Sequence, residues 1–148
     1  MPEITIRPAR PEEADALAEL RVIAMRPSLE ALGRFDPQRA RARFLSGFVA
    51  GDTSVIRIDA DLVGFYVLRR RETELYIDHL YVDPARQGTG LGRSVVASIM
   101  DEARSLDIPV RLMALKGSPA NDFYKRHGFI ETGSDAFDIF YEWQPSGA

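Results

Sequence analysis

The stretch Asp83-Pro84-Ala85-Arg86-Gln87-Gly88-Thr89-Gly90-Leu91-Gly92-Arg93 sets Gly88, Gly90 and Gly92 at alternate positions. Glycine has no Cβ to block a ligand and lets the backbone turn several N–H groups toward one point. Where such a turn opens a helix, the helix N-terminus adds partial positive charge. The chemistry this suits is phosphate binding, and Arg93 can add a charged contact. By residue type alone the same glycines also serve an ordinary tight strand-to-helix connection. Two phosphate motifs are excluded: a dinucleotide fingerprint needs a third glycine where Arg93 stands, and a Walker A loop needs a Gly-Lys-Ser/Thr ending that is lacking. Proton transfer has its own candidates. Glu74, Tyr76 and Asp78 alternate along one face of a predicted strand, with His79 on the other. The absence of cysteine removes thiolate nucleophiles, disulfides and cysteine-bound metals. No ligand-like spacing links His79 and His127 to carboxylates, so no metal is expected.

The elements that must hold these groups follow from periodicity. Ile4 and Ile6 alternate with Thr5 and Arg7, predicting a strand over 3–7 closed by Pro8. Pro11, Glu12 and Glu13 suit a first helical turn, and Ala14, Leu17, Ala18 and Ala24 recur at helical spacing, predicting a helix that ends near Pro27. Asp36 caps a second helix through Pro37, with Ala40, Phe44, Leu45 and Phe48 as its stripe, broken at Gly51-Asp52. Ser54–Ile58, Leu62–Arg69 and Glu74–Val82 read as an antiparallel meander. Leu91, Val95, Val96, Ile99, Met100 and Ala103 predict a strongly amphipathic helix to about Leu106. A strand at Val110–Leu115, a helix at Pro119–Arg126 stopped by Gly128, and strands at Phe129–Thr132 and Phe137–Trp143 complete the order β-α-α-β-β-β-α-β-α-β-β.

The chain has 148 residues, 45% hydrophobic and 28% charged, with a formal net charge of −3. That length fits one domain, residues 1–148, and the composition is that of a globular protein without a bilayer-spanning stretch. No export signal opens it, so the expected location is cytoplasmic, with no membrane partner. The negative net charge argues against nucleic acid as a partner, although Arg39, Arg41 and Arg43 and the run Arg69-Arg70-Arg71 are basic.

Gln87, Gly90 and Gly92 also fill the pattern Gln/Arg-x-x-Gly-x-Gly/Ala, and in this the sequence resembles the GCN5-related N-acetyltransferases (GNAT), whose pyrophosphate-binding loop carries it. Leu80-Tyr81-Val82-Asp83-Pro84 looks like that family's fourth strand. Phe123-Tyr124-Lys125-Arg126-His127-Gly128-Phe129, after Pro119-Ala120, resembles its Phe-Tyr-x-x-x-Gly-Phe element. The likeness covers essentially the whole chain and is strongest from about 62 to 130. One departure is Ser118, which stands where many members carry an Asn that contacts the cofactor. The resemblance implies an α+β (layered α/β) fold with a mixed, mostly antiparallel central sheet of about seven strands flanked by about four helices.

What it implies chemically is transfer of an acetyl group from acetyl-CoA, the acyl donor, to a primary amine held in the same ternary complex, with no metal. The pantetheine arm lies in that family between the splayed ends of the fourth and fifth strands. Leu80, Tyr81 and Val82 would line it, with a backbone N–H near Leu80 polarising the thioester carbonyl. Gln87, Gly88, Thr89, Gly90, Leu91, Gly92 and Arg93 would take the pyrophosphate, and Ser118 and Tyr124 would complete the donor site. Tyr124 matches the tyrosine that protonates the departing thiolate, which a phenol with pKa about 10 can do at neutral pH. Without the motif, Phe123 and Tyr124 would read as packing. Asp78 and His79 rank above Glu74 as general base, with a water relay as the alternative. The first two helices form one wall of the acceptor cleft in the family, where Met25, Arg26, Leu29, Leu32, Phe35 and Asp36 would lie. There Arg39, Arg41 and Arg43 would steer an anionic acceptor or simply face solvent. The acceptor class stays open between small molecules and protein amines, and the family admits a homodimer. Readings from other classes are a non-catalytic acyl-CoA-binding or sensing domain and a nucleotide-binding regulatory domain.

Overall fold

A computed structural model describes residues 3–86 and 89–145. Its elements are β1 (Ile4–Pro8), α1 (Ala14–Ala31), α2 (Pro37–Leu45), β2 (Thr53–Ile58), β3 (Asp61–Arg70), β4 (Leu75–Val82), α3 (Leu91–Leu106), β5 (Val110–Leu115), α4 (Pro119–Arg126), β6 (Ile130–Ser134) and β7 (Asp138–Trp143). This is the order the sequence predicts. The strands form one mixed sheet in the order β1-β2-β3-β4-β5-β7-β6. The chain divides into two compact units, residues 1–67 with 79–92 and residues 68–78 with 93–148.

In the first unit β1 pairs antiparallel with β2, Ile4 opposite Ile58, and β2 pairs antiparallel with β3. A bidentate ion pair closes the entry to α1. Arg7 donates from Nη1 and Nη2 to the two Glu13 oxygens at 2.8 Å each, and Glu13 also accepts the Arg10 N–H at 2.8 Å. Leu17, Ala18, Leu20, Phe44, Val55, Phe65 and Val67 form the buried core, each large side chain adding about 1.5–3 kcal/mol.

Two helix ends differ from the sequence reading. α1 runs through Pro27 to Ala31, because the carbonyl that loses its bond to the proline belongs to Ile23, an exposed residue where water can replace it. The stop comes at Gly33, at φ +67°. Its N–H bonds Glu30 O at 2.9 Å and the Arg34 N–H bonds Leu29 O at 2.9 Å, the pairing of a Schellman motif. α2 is capped as predicted, Asp36 accepting from Gln38 N and Arg39 N, but it ends at Leu45, before Gly51-Asp52. Phe48 lies beyond the helix and rests on Phe44 with ring centroids 5.6 Å apart.

Gly64 of β3 sits against the end of β4. A Cβ there would lie 2.7 Å from Tyr81 O and 3.4 Å from Val82 Cα. Only a residue without a side chain allows the strands this proximity.

In the second unit β4 pairs with β5 in parallel over Leu75–Val110, Tyr76–Arg111 and Ile77–Leu112, a connection that requires a crossover, here α3. The predicted stripe of α3 is buried throughout, from Leu91 to Ala103. Arg70 holds its outer side by a fork on Glu102, at 2.7 and 3.0 Å, and Arg104 lies over the Trp143 ring at 5.1 Å. β7 pairs antiparallel with both β5 and β6. β6 starts at Ile130 rather than Phe129, since the Phe129 N–H is taken by Tyr124 O at 3.1 Å. β7 starts at Asp138 rather than Phe137, because Asp135 captures both of their N–H groups.

Two outcomes follow from these contacts. Gly64→Ala should destabilise the protein by about 1–3 kcal/mol, since backbone rather than a flexible side chain must move; a denaturant melt reads it, and an unchanged midpoint contradicts the close approach. The Arg7 fork holds the Glu13 carboxyl down at about 2 against its ordinary 4.5. A depressed carboxylate contributes stability that is complete above 4.5 and lost as pH falls toward 2. Glu13→Gln should therefore cost about 1 kcal/mol at pH 7, allowing for solvent screening, with the difference from the parent vanishing near pH 2.

Candidate active site

The end of β4 is fixed by the Asp83 N–H, which bonds Val63 O at 2.8 Å. Asp83 then organises the chain that follows: its carboxylate accepts the Ala85 N–H at 2.9 Å and its carbonyl accepts the Arg86 N–H at 2.7 Å. Gln87 and Gly88 lie outside the described residues. Thr89 Oγ1 donates to Arg86 O at 2.7 Å. Gly90 takes φ +87°, and among the described residues a Cβ there would meet nothing within 4 Å. So the left-handed turn requires glycine for conformation and leaves open space beside it. α3 begins at Leu91, and the N–H groups of its first turn, Leu91, Gly92 and Arg93, have no carbonyl four residues back inside the helix. The Arg93 side chain is exposed. Chemically this is a helix N-terminus preceded by a left-handed glycine, a geometry that suits an anion.

On the far half of β4, Leu80, Tyr81 and Val82 are half-buried, while His79 is only 4% exposed. His79 packs edge-on against Phe44, centroids 5.4 Å apart. Its Nδ1 lies 3.1 Å from Tyr81 Oη, and Arg21 Nε donates to that same oxygen at 3.2 Å. A guanidinium only donates, so Tyr81 Oη accepts from Arg21, while the direction of its bond to His79 follows the imidazole tautomer. Arg21, from α1, also donates from Nη1 to Ala40 O of α2 at 2.6 Å. Sequence reasoning passed over this residue, although the signal was present: Arg21 falls four after Leu17 and three after Ala18 on the apolar stripe of α1. Of the basic run on α2, Arg41 forks onto Glu19 of α1, so that its charge bridges the two helices. Of the acceptor-wall residues, Arg26 lies 5.0 Å above the Phe35 ring and Asp36 is occupied as the α2 cap.

In the second unit Asp78 is paired with Arg69 at 3.1 Å. Glu74 accepts from Arg111 at 2.7 Å and Arg71 at 2.8 Å; burial pushes its carboxyl up, yet these donors outweigh burial and leave it below the ordinary value. Ser118 is the N-cap position of α4, with φ −79° and ψ 153°. Asn121 secures that start. Its Nδ2 donates to Leu115 O at 2.8 Å and to Ser118 O at 3.0 Å, and its Oδ1 accepts from Tyr141 Oη at 2.8 Å. Three residues further on, Tyr124 is 6% exposed, its ring set edge-on to Phe123 at 5.1 Å and Phe129 at 5.4 Å. Gly128, at φ +88°, ends α4 with the Schellman pairing, the Phe129 N–H on Tyr124 O and the Gly128 N–H on Lys125 O, both 3.1 Å. The Phe-Tyr-x-x-x-Gly-Phe sequence is thus a helix terminus whose last aromatic packs on the tyrosine. Asn121 was not singled out in the sequence; its place three residues before Tyr124 was the available signal.

Among the described residues no group of three or more His, Asp or Glu could hold a metal ion, and no helix is long and apolar enough to cross a membrane.

The family model described as Acetyltransferase (GNAT) domain matches residues 23–145. No curated protein matches the chain. Several solved structures are similar. The PaiA N-acetyltransferase of Thermoplasma acidophilum, in complex with coenzyme A, is 16% identical with a TM-score of 0.74, over 96% of this chain and 99% of that one. The ribosomal-protein-S18-alanine N-acetyltransferase of Escherichia coli is 18% identical with a TM-score of 0.72, over 99% and 96%. An acetyltransferase of Thermus thermophilus is 18% identical with a TM-score of 0.72, over 95% and 96%. At these identities the likeness is one of fold.

Proposed function

Because the chain belongs to the GNAT acetyltransferase family, we propose that it works as one domain transferring the acetyl group of acetyl-CoA to a primary amine by direct attack. The observation that carries this reading is the turn after β4, where Gly90 stands left-handed beside open space at the start of α3. The coenzyme A in the similar Thermoplasma acidophilum structure supports the choice of donor.

The pyrophosphate sits on first-turn N–H groups of α3, with Arg93 beside it, and the main chain of Leu80 and Val82 binds the pantetheine arm. An N–H near Leu80 points at the thioester oxygen, where negative charge grows as the amine attacks. The C–N bond forms, the C–S bond breaks, and the electron pair leaves on sulfur. Tyr124 gives the thiolate its proton, and the ring contacts with Phe123 and Phe129 fix the direction of that phenol. The amine proton leaves through water. Asp78 is engaged by Arg69, and buried His79 is bonded to the phenol of Tyr81, an arrangement that favours a relay over direct abstraction by either. No thiol nucleophile is required, since proximity in a ternary complex supplies the acceleration that a covalent intermediate otherwise would.

Gly90→Asp places a side chain and a negative charge where the phosphates bind, and aspartate is among the residue types that tolerate a left-handed turn. It should weaken acetyl-CoA binding at least about tenfold; unchanged affinity by calorimetric titration contradicts the donor site. Tyr124→Phe keeps the ring contacts and should lower kcat about a hundredfold with the acetyl-CoA KM unchanged. Full turnover in that variant removes the acid assignment alone. Thiol release over a panel of amines separates the enzyme from a protein that binds acetyl-CoA without transferring it.

A further inference from the structure

Arg21 is 9% exposed, and its guanidinium bonds Tyr81 Oη and Ala40 O, both neutral oxygens. Among the described residues no carboxylate pairs with it. Other arginines of the same unit are matched: Arg7 to Glu13, Arg41 to Glu19, Arg86 to Asp61. Glu19, two positions away in sequence, is already taken by Arg41. A guanidinium keeps its charge at any pH in the protein, and burying that charge without a counter-ion costs several kcal/mol. A leucine or methionine could join α1 to α2 without that cost, so the retained charge points to a use.

The free edge of the side chain shows where the use lies. Nε and Nη1 carry the two bonds, and Nη2 carries none. Every fully buried side-chain nitrogen or oxygen among the described residues has a hydrogen-bond partner, so Nη2 is not one of them: it meets solvent. The molecule therefore presents a positively charged N–H edge, held by α1, α2 and β4 and set beside the Tyr81 ring, which packs on His79 and through it on Phe44. Apolar rings lower the local dielectric and strengthen an ion pair formed there.

We propose that Arg21 binds the carboxylate of the amine acceptor, so that the acceptor is an amino acid or another amine carrying a carboxylate. This rests on the acetyl-transfer reading and names the substrate class for it. A carboxylate fits better than a phosphate: one guanidinium neutralises one negative charge, and a dianion would bring a second, unmatched charge among aromatic rings. The phenol of Tyr81 both orients the guanidinium and belongs to the strand whose main chain holds the thioester, which ties the anchor to the reacting group.

The test is a calorimetric titration of the wild-type protein with N-acetylated forms of the common amino acids and with the corresponding carboxamides. These are product-like ligands that bind whether or not turnover occurs. The best acid should bind at least about tenfold more tightly than its amide, the effect of a charge-assisted hydrogen bond. In Arg21→Gln that ratio should fall to about one through loss of acid binding, with amide binding and acetyl-CoA affinity unchanged. Equal binding of acid and amide by the wild type overturns the proposal, as does equal loss of both in a folded Arg21→Gln. Should that variant not fold, Arg21→Lys, which keeps the charge but has no Nη2 edge, decides: loss of the acid preference supports the anchor and its retention overturns it. Absence of thiol release with every amine would sink the transfer reading separately, with the acid-to-amide contrast still legible.

Discussion

A guanidinium that cannot give up its charge dictates what surrounds it once it is buried, and Arg21 does this for the first unit. Its two bonds reach Ala40 O on α2 and Tyr81 Oη on β4, so three elements far apart in sequence must meet at one side chain. Through Tyr81 the same constraint extends to His79, whose Nδ1 lies 3.1 Å from the phenol oxygen. Phe44 then packs against the imidazole and Phe65 against Phe44, with centroids 5.4 and 5.1 Å apart. Hydrophobic packing alone would tolerate small slides of α1 and α2 across the sheet. Directional hydrogen bonds to a fixed planar group do not.

The proposed donor site makes different demands. It is built from main chain: the end of β4, the turn at Gly90 and the first turn of α3. Recognition by backbone asks little of side-chain identity and a great deal of side-chain absence. Gly64 must lack a Cβ for Tyr81 O to approach, and Gly90 must lack one to hold φ +87°. Such demands leave most side chains free to vary, which is compatible with chains only 16–18% identical sharing the fold over almost their whole length.

What could be read from the sequence was local. The apolar stripe of α3, the Asp36 cap and the Gly128 stop depend on residues within a few positions of one another, and all three stand as predicted. The end of α1 was misread because Pro27 is a strong local signal and Gly33 a weaker one, yet the exposure of Ile23 decides that the proline is tolerated. Phe48 has the right spacing for α2 but lies past its end, since turns at Gly47 and Phe48 already bond to Phe44 O and Leu45 O. Arg21 and Asn121 act through partners 60 and 20 residues away, and no spacing rule covers such pairs. For Glu74, composition offered a titratable group where the fold makes a strut between two arginines.

α4 has 8 residues, below the length at which a helix is stable in water by its own hydrogen bonds. Its order is borrowed: from Asn121 at its start, which Tyr141 of β7 holds, and from Phe129 at its end. β7 is the last strand of the fold, so during synthesis the helix that carries Tyr124 leaves the ribosome before the strand that locks it. The residues of the first unit, which ends at Gly92, are therefore all synthesised before the contacts that order the Tyr124 ring exist. Those contacts are complete only once the last strand of the sheet is made.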